Sequence, residues 1–196
     1  MTELVGFSET VRVFMDLLVN TYASTHGLNL IHEPTMALVD LEFHEDKGFI
    51  LSPFVNHSRG FRVAEAGLSG ASASDKDLIG IMTKTTDQRA GRVFSDGSIS
   101  KPVTPLDWQK LNEGSTMSKE ILIKAGGDPK SIVVSKVSGA HPGGTAAIGE
   151  VVDKNLETKL SGLFCCDASV LPAAPGLPPM LTIGALGKYL ARQLAD

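Results

Sequence analysis

The chain has 196 residues, of which 42% are apolar and 20% are charged, and its formal net charge is −4. This composition is typical of a soluble globular protein and excludes a disordered or collagen-like chain, and the length allows one sizeable core and a smaller second one. The acidic balance, without a run of Lys or Arg, gives no electrostatic basis for binding nucleic acid or an anionic membrane, so we expect a small-molecule or protein partner.

The first sixty residues predict a helix followed by a hairpin. Ser8 is a suitable helix cap, and the apolar residues that follow recur at the spacing of one helical face, namely Val11, Phe14, Met15, Leu18 and Tyr22. Residues 36–43 and 48–52 have the composition of strands, and the polar segment His44–Lys47 between them predicts a turn. Together they indicate an antiparallel hairpin.

The middle of the chain predicts further strands after a loop. Residues 64–76 are small and polar with repeated Gly, Ala and Ser, which favours either a mobile loop over a cleft or a plain linker. Residues 79–83 and 91–94 then have strand patterns, and residues 95–98 form a turn signal before Ile99. We therefore expect a sheet of at least four strands.

A helix is predicted after these strands. Thr104 offers a capping hydroxyl, Pro105 occupies the first helical position, and Asp107 follows three residues after the cap. Gly126 and Gly127 provide the matching stop. The order of elements predicts an α+β fold with a mixed, mainly antiparallel sheet and flanking helices.

The remaining indicators concern compartment and metal binding. Cys165 and Cys166 are adjacent within an apolar run, which suits neither a disulfide framework nor metal-ligand spacing. There is no signal-peptide pattern, and no apolar run approaches the roughly 20 residues of a membrane span. We therefore expect a cytoplasmic protein without a metal site. Four histidines lack regular ligand spacing and are interpreted as surface or turn residues: His26, His32, His44 and His57.

The tail is the part of the sequence best suited to carry chemistry, because three loops rich in Gly and Pro follow one another there. His141 stands in front of Pro-Gly-Gly, and an imidazole, with an unperturbed pKa of about 6.5, suits proton transfer near neutrality. Gly143 and Gly144 would allow the backbone to approach a ligand closely. A histidine in this setting is also commonly a simple turn residue, so both interpretations stay open at this stage.

The order of the three loops resembles the C-terminal signature of the glucose-methanol-choline (GMC) oxidoreductases. From His141 the sequence reads His-Pro-x-Gly-x-x-x-x-Gly, then Asp-x-Ser-x-x-Pro, Gly-x-x-Pro and Leu-Thr-Ile-x-Ala-Leu. Weaker similarity to the family's substrate domain covers stretches within residues 91–126. On this basis residues 1–137 are expected to form a substrate-binding-like domain, and residues 138–196 the signature segment and a final helix.

The resemblance implies an FAD-dependent oxidoreductase acting on a CH–OH group. His141 would take the hydroxyl proton while a hydride passes to the flavin. Asp167 and Ala168 would contact the ribityl or diphosphate region of FAD, with Gly143 and Gly144 as further backbone contacts. The final helix would begin near Pro178 or Pro179, and its start would face the flavin through a set of three residues: Pro179, Met180 and Leu181. The positive N-terminal end of that helix can stabilise an anionic reduced flavin.

Two departures from the family pattern shape the expectation about partners. Pro178 occupies the position where the family usually has a second His or Asn, and proline can neither donate a hydrogen bond nor exchange a proton. The dinucleotide fingerprint Gly-x-Gly-x-x-Gly does not occur in the sequence. We therefore expect an N-terminal FAD-binding half or subunit as partner, and self-association as a further possibility.

The main alternative is a non-catalytic binding or structural domain that retains the GMC fold. A flavin-free enzyme that uses His141 as general base is a third interpretation, but no Ser or Cys nucleophile motif supports it.

Overall fold

The computed structural model describes residues 11–27, 35–56, 58–67 and 77–195. These residues divide into two units. Unit 1 draws its described residues from Met1–Asp16, Thr86–Asp107 and Gly139–Asp196, and unit 2 draws them from Leu17–Thr85 and Trp108–Ser138. Among the described residues, no helix combines the length and the apolar character that a membrane span requires.

The fold is α+β with antiparallel sheets, as predicted. In chain order, the helices and strands within the described ranges are β1 (Val11–Val13), β2 (Leu17–Ser24), α1 (His44–Lys47), β3 (Phe49–Pro53), α2 (Arg59–Ala66), β4 (Leu78–Thr85), β5 (Gly91–Val93), β6 (Ile99–Ser100), α3 (Pro105–Lys124), β7 (Val133–Val134), β8 (Ser138–Gly139) and α4 (Met180–Ala195). Short 3₁₀ helices occupy Pro129–Ser131 and Ala168–Val170.

Unit 2 is an antiparallel sheet covered by α3. Its strands are arranged in the order β3-β4-β2-β7. Gly114 of α3 lies so close to the sheet that an added Cβ would be 2.3 Å from Cγ2 of Thr83, which explains why this helix position needs a glycine. The buried core residues of this layer are Ala23, Phe49, Leu51, Ile81 and Leu122.

Unit 1 has less regular structure. Its sheet has the order β1-β5-β6, with Val11 opposite Val93 and Arg92 opposite Ser100. The buried core residues of the tail are Val152, Leu156 and Val170. Val152 and Leu156 lie outside the helices and strands, and Val170 lies in the short 3₁₀ helix. Leu186 and Leu190 of α4 pack against them.

The predicted opening helix is wrong. Residues 11–13 and 17–24 form β1 and β2, and Asp16 between them has a left-handed backbone conformation with φ of 48°. Seven of the eight residues of β2 are buried. A strand that is buried on both faces carries apolar residues without strict alternation, and here their spacing coincides with that of a helical face. Ser8 lies outside the described residues.

The predicted hairpin is half correct. β3 covers the second strand, but residues 36–43 form no continuous strand and are linked to β3 through an isolated bridge between Asp40 and Leu51. The predicted turn His44–Lys47 is instead one turn of helix, which ends at Gly48 with φ of 72°. Because residues 36–42 are exposed, burial does not hold them against the sheet.

The other predicted elements are confirmed where the structure describes them. β4 and β5 cover the strands predicted at 79–83 and 91–94. α3 begins at Pro105 behind a capping box, in which Oγ1 of Thr104 accepts a hydrogen bond from the Asp107 N–H and Oδ2 of Asp107 accepts one from the Thr104 N–H. Of the predicted loop at 64–76, residues 64–66 belong to α2 and residues 68–76 lie outside the described ranges.

Candidate functional site

His141 lies in unit 1, where its backbone is fixed by the segment that follows β1. The N–H groups of Ala140 and His141 both donate to the Met15 carbonyl, at 2.9 and 3.2 Å. One residue earlier, Phe14 and Gly143 exchange two backbone hydrogen bonds, each of 3.1 Å. This pairing joins residues far apart in sequence and places the side chain that follows Met15 next to the histidine.

That side chain is Asp16, which is fully buried and contacts His141 directly. Its Oδ2 lies 3.1 Å from Nδ1 of His141, and its Oδ1 accepts a hydrogen bond of 3.3 Å from the Gly176 N–H. The left-handed backbone at Asp16 costs about 1–2 kcal/mol for an ordinary residue, although Asp is one of the residue types that tolerate it. The strain indicates that the surrounding contacts hold this carboxylate in place.

The contacts of the pair distinguish the two carboxylate oxygens of Asp16. Oδ1 accepts a hydrogen bond from a backbone amide, and Oδ2 faces Nδ1 of His141. The His141 side chain keeps 30% of its surface exposed, so the ring is accessible to a reactant.

Buried charges support the backbone beside this pair. The Met15 N–H donates to Asp87 at 3.1 Å, and Nζ of Lys101 lies 3.0 Å from the same Asp87 oxygen. Asp107 lies 3.7 Å from that ammonium and accepts a hydrogen bond from the Gln88 N–H. Because buried carboxylates persist only when they are paired or hydrogen-bonded, this cluster gives the Met15 backbone a well-defined position.

The two glycines predicted as cofactor contacts are buried against protein atoms. A Cβ at Gly143 would lie 2.5 Å from the Ala168 carbonyl oxygen and from Cζ of Phe14. Gly144, with φ of 86°, donates its N–H to the same carbonyl at 3.2 Å and packs on Arg89. Internal packing alone therefore explains why both positions are glycine. Their contact with a cofactor stays a prediction.

Asp167 and Ala168 form a short turn that follows the core of the tail. Asp167 is exposed, and its Oδ1 accepts a hydrogen bond of 2.7 Å from the Ser169 N–H, which caps the 3₁₀ helix. Burial raises the pKa of the Cys165 thiol, and the Asp167 carboxylate adds to the effect. A thiol that stays protonated is a poor nucleophile.

The start of α4 lies within two residues of its predicted position. The helix begins at Met180, and the Ile183 N–H donates to the Pro179 carbonyl at 2.9 Å. Pro179 is buried and Pro178 is exposed. Met180 and Leu181 keep 81% and 86% of their surface exposed, so the first turn of the helix presents apolar side chains outward.

Sequence reasoning missed Asp16. The signal was present, because a single acid between Phe14-Met15 and Leu17-Leu18 must be buried if its neighbours are, and a buried carboxylate requires a partner. Nothing in the sequence connected it to His141, which lies 125 positions away.

Comparison with known proteins gives the chain a family context. The C-terminal domain model described as GMC oxidoreductase matches residues 99–187. An uncharacterized protein from Methanocaldococcus jannaschii is 30% identical over 179 residues, which cover 91% of this chain and 46% of that protein. A long-chain-alcohol oxidase from Arabidopsis thaliana is 27% identical over 59% of this chain and 21% of its own length. The chain thus spans less than half the length of these curated relatives.

Solved structures show a similar fold. A variant of formate oxidase from Aspergillus oryzae RIB40, studied for FAD modification, aligns with a TM-score of 0.68 and 17% identity over 97% of this chain and 49% of that one. Pyridoxine 4-oxidase from Mesorbium loti aligns with a TM-score of 0.61 and 16% identity, covering 97% of this chain and 46% of that one. At this level of identity the similarity concerns the fold.

Proposed function

We propose that this chain, which belongs to the GMC oxidoreductase family and corresponds to its C-terminal part, supplies the substrate side of an FAD-dependent oxidoreductase acting on a CH–OH group. The observation that carries the proposal is the state of His141. Its ring is partly exposed, its Nδ1 is held by a buried carboxylate, and the lone pair on Nε2 can accept a proton.

The exposed groups of unit 1 fit the ring end of FAD. A flat aromatic ring system matches the apolar side chains of Met180 and Leu181 at the start of α4, and the positive end of that helix suits a reduced, anionic flavin. Asp167 and Ala168 would lie against the ribityl or diphosphate region. When bound, FAD would supply the two-electron acceptor for the hydride of the alcohol.

The residues of this chain would handle the proton. His141 would accept the hydroxyl proton at Nε2, and Asp16 would stabilise the imidazolium that results. The Gly176 N–H would keep the carboxylate oriented throughout.

The diphosphate-binding part of FAD would be held by an N-terminal partner half. The 196-residue sequence contains no Gly-x-Gly-x-x-Gly fingerprint, which in dinucleotide-binding proteins places the diphosphate at a helix N-terminus. We therefore expect the chain to bind FAD weakly when alone and tightly when that half is present, with a small alcohol as substrate.

A second candidate function rests on Pro178. This proline stands where the family usually has a second His or Asn, and it has no group that donates a hydrogen bond to a substrate oxygen. A non-catalytic binding or structural domain would have no need for such a group.

The deciding experiment is a flavin titration followed by single-turnover reduction with a panel of alcohols. The purified chain is titrated with FAD alone and with the candidate N-terminal half from the same source, and flavin absorbance is followed after alcohol is added. We expect binding and bleaching in the mixture, and a loss of about 10²–10⁴ in reduction rate for His141→Gln.

The matched control is His26→Gln, because His26 is exposed and lies outside unit 1. Equal rates for the two variants would refute His141 as the base. Binding of FAD without any reduction would favour the non-catalytic candidate.

A further inference from the structure

We propose that Asp16 is a positioning residue that fixes His141 in the tautomer with its proton on Nδ1, so that Nε2 alone serves as the base. The catalytic consequence rests on the proposed function, whereas the tautomer is a property of this chain.

Both oxygens of the carboxylate have a defined donor. Oδ1 accepts from the Gly176 N–H at 3.3 Å, and Oδ2 lies 3.1 Å from Nδ1 of His141. A backbone amide cannot reverse its role, so the carboxylate is an acceptor toward Gly176. The same ionised group can interact favourably with Nδ1 only if that nitrogen carries the proton.

The contact is preorganised by the backbone on both sides. The carbonyl of Met15 accepts the N–H of His141, and the N–H of Met15 is bound by Asp87. Because Asp16 is fully buried, water does not compete for its oxygens. A carboxylate held at a left-handed backbone position by these contacts can orient the imidazole without reorganising during proton transfer.

The carboxylate also connects two loops of the site. Gly176 lies two residues before Pro178, the position that has no proton-exchanging side chain. The structure therefore assigns the support of His141 to the carboxylate that contacts its Nδ1. In the reaction, the hydroxyl proton would move to Nε2, the C–H hydride would go to the bound flavin, and the carbonyl product would leave. The positive charge on the imidazolium would be balanced by Asp16.

The test is the tautomer of His141 in the flavin-free 196-residue chain, read from ¹⁵N–¹H correlations of the imidazole rings. The His141→Gln variant identifies its signals among those of the five histidines. We expect the wild type to carry the proton on Nδ1. In Asp16→Asn, the new amide oxygen can still accept from Gly176 while its NH₂ donates to Nδ1, so the proton should move to Nε2.

The matched control is Asp153→Asn, which neutralises an exposed carboxylate of unit 1, one whose Oδ1 accepts from the Asn155 and Glu157 N–H groups and which does not belong to the cluster beside Met15. It should leave the His141 tautomer unchanged. In the FAD-loaded mixture, Asp16→Asn should lower the rate of flavin reduction at saturating alcohol by about 100-fold or more, with little change in KM.

A wild-type His141 protonated on Nε2 overturns the proposal, and this reading needs only that His141→Gln folds well enough for its spectrum to be compared. An unchanged tautomer in folded Asp16→Asn overturns it as well. If the tautomer switches as expected but no mixture reduces flavin, the positioning role stands and the proposed redox function fails.

Discussion

The two units of this protein reach stability by different means. In unit 2, β2 and β4 are paired over seven consecutive positions, from Leu18 opposite Lys84 to Ser24 opposite Leu78. In unit 1, the strands are two or three residues long within the described ranges, and much of the tail is held by single bridges such as Phe14 with Gly143 and Glu157 with Phe164. The candidate site lies in unit 1, where each loop is fixed by a few specific hydrogen bonds.

This difference indicates a division of labour. A regular sheet buries apolar area efficiently, but it presents side chains at fixed repeats. Loops held by individual contacts can bring an acid, an imidazole and a helix start together from distant parts of the chain. If the division holds, substitutions in the core of unit 2 should destabilise the molecule more than substitutions in the core of unit 1.

The largest effect is expected from the core of unit 2. Phe49 is fully buried and stacks on Phe43, with ring centroids 5.4 Å apart. Phe49→Ala should lower the free energy of unfolding by about 3–5 kcal/mol, because it removes this contact and leaves a cavity. Denaturant titration gives the magnitude, and hydrogen exchange should show protection lost from β2, β3 and β4.

The counterpart in unit 1 is Val170→Ala, which removes two methyl groups from a smaller core. Its cost should be about 2 kcal/mol, at ~0.8 kcal/mol for each methyl-sized group plus a cavity contribution. A larger loss for Val170→Ala than for Phe49→Ala would contradict the view that unit 2 supplies most of the stability.

A smaller effect is expected at the start of α3. Thr104→Ala removes the hydroxyl that accepts the Asp107 N–H at 3.2 Å, and it should cost about 1 kcal/mol. Thr104→Ser keeps the hydroxyl and should restore most of the loss. Melting temperatures of the two variants provide the measurement, and equal values would show that the capping bond contributes nothing.

An effect no larger than that of Thr104→Ala, at most about 1 kcal/mol, is expected at neutral pH for Tyr22→Phe in unit 2. Burial, assisted by the nearby Glu65 carboxylate, raises the pKa of the Tyr22 phenol well above its ordinary value near 10. Above pH 10 the unfolded chain loses this proton while the folded chain keeps it, so stability is full below that pH and falls as the pH rises through the raised pKa.

The measurement is the slope of unfolding free energy against pH between about 10 and 11. Tyr22→Phe should flatten the decline. Tyr189→Phe, at the other tyrosine of the chain, which is exposed and lies in unit 1, is the control and should leave the slope unchanged. An identical slope in wild type and Tyr22→Phe would show that Tyr22 does not cause the decline in stability above pH 10.

The sequence predicted those features whose determinants are local. The helix cap at Thr104, the start of α4 and the strand β4 each follow from neighbouring residues, and each is confirmed. The prediction failed where tertiary burial overrides local pattern. β2 is buried on both faces, so its periodicity carried no information about its conformation.

The candidate site could likewise be predicted from the sequence only where its determinants are local. His141 could be selected from its Gly-Pro context and from the family signature, because both are local. Asp16 could not be connected with it, since their contact depends on the antiparallel pairing of Phe14 with Gly143. The cofactor contacts predicted at Asp167, Ala168 and the start of α4 stay predictions that flavin binding will test.

The distance in sequence between Asp16 and His141 has a consequence for biosynthesis. Closing a loop of this length carries a large entropic cost and belongs to the slow, non-local stage of folding. A nascent chain that has not yet emerged as far as residue 141 cannot form the pair, and a misfolded chain lacks it. The contact between Asp16 and His141 therefore forms only in the finished fold.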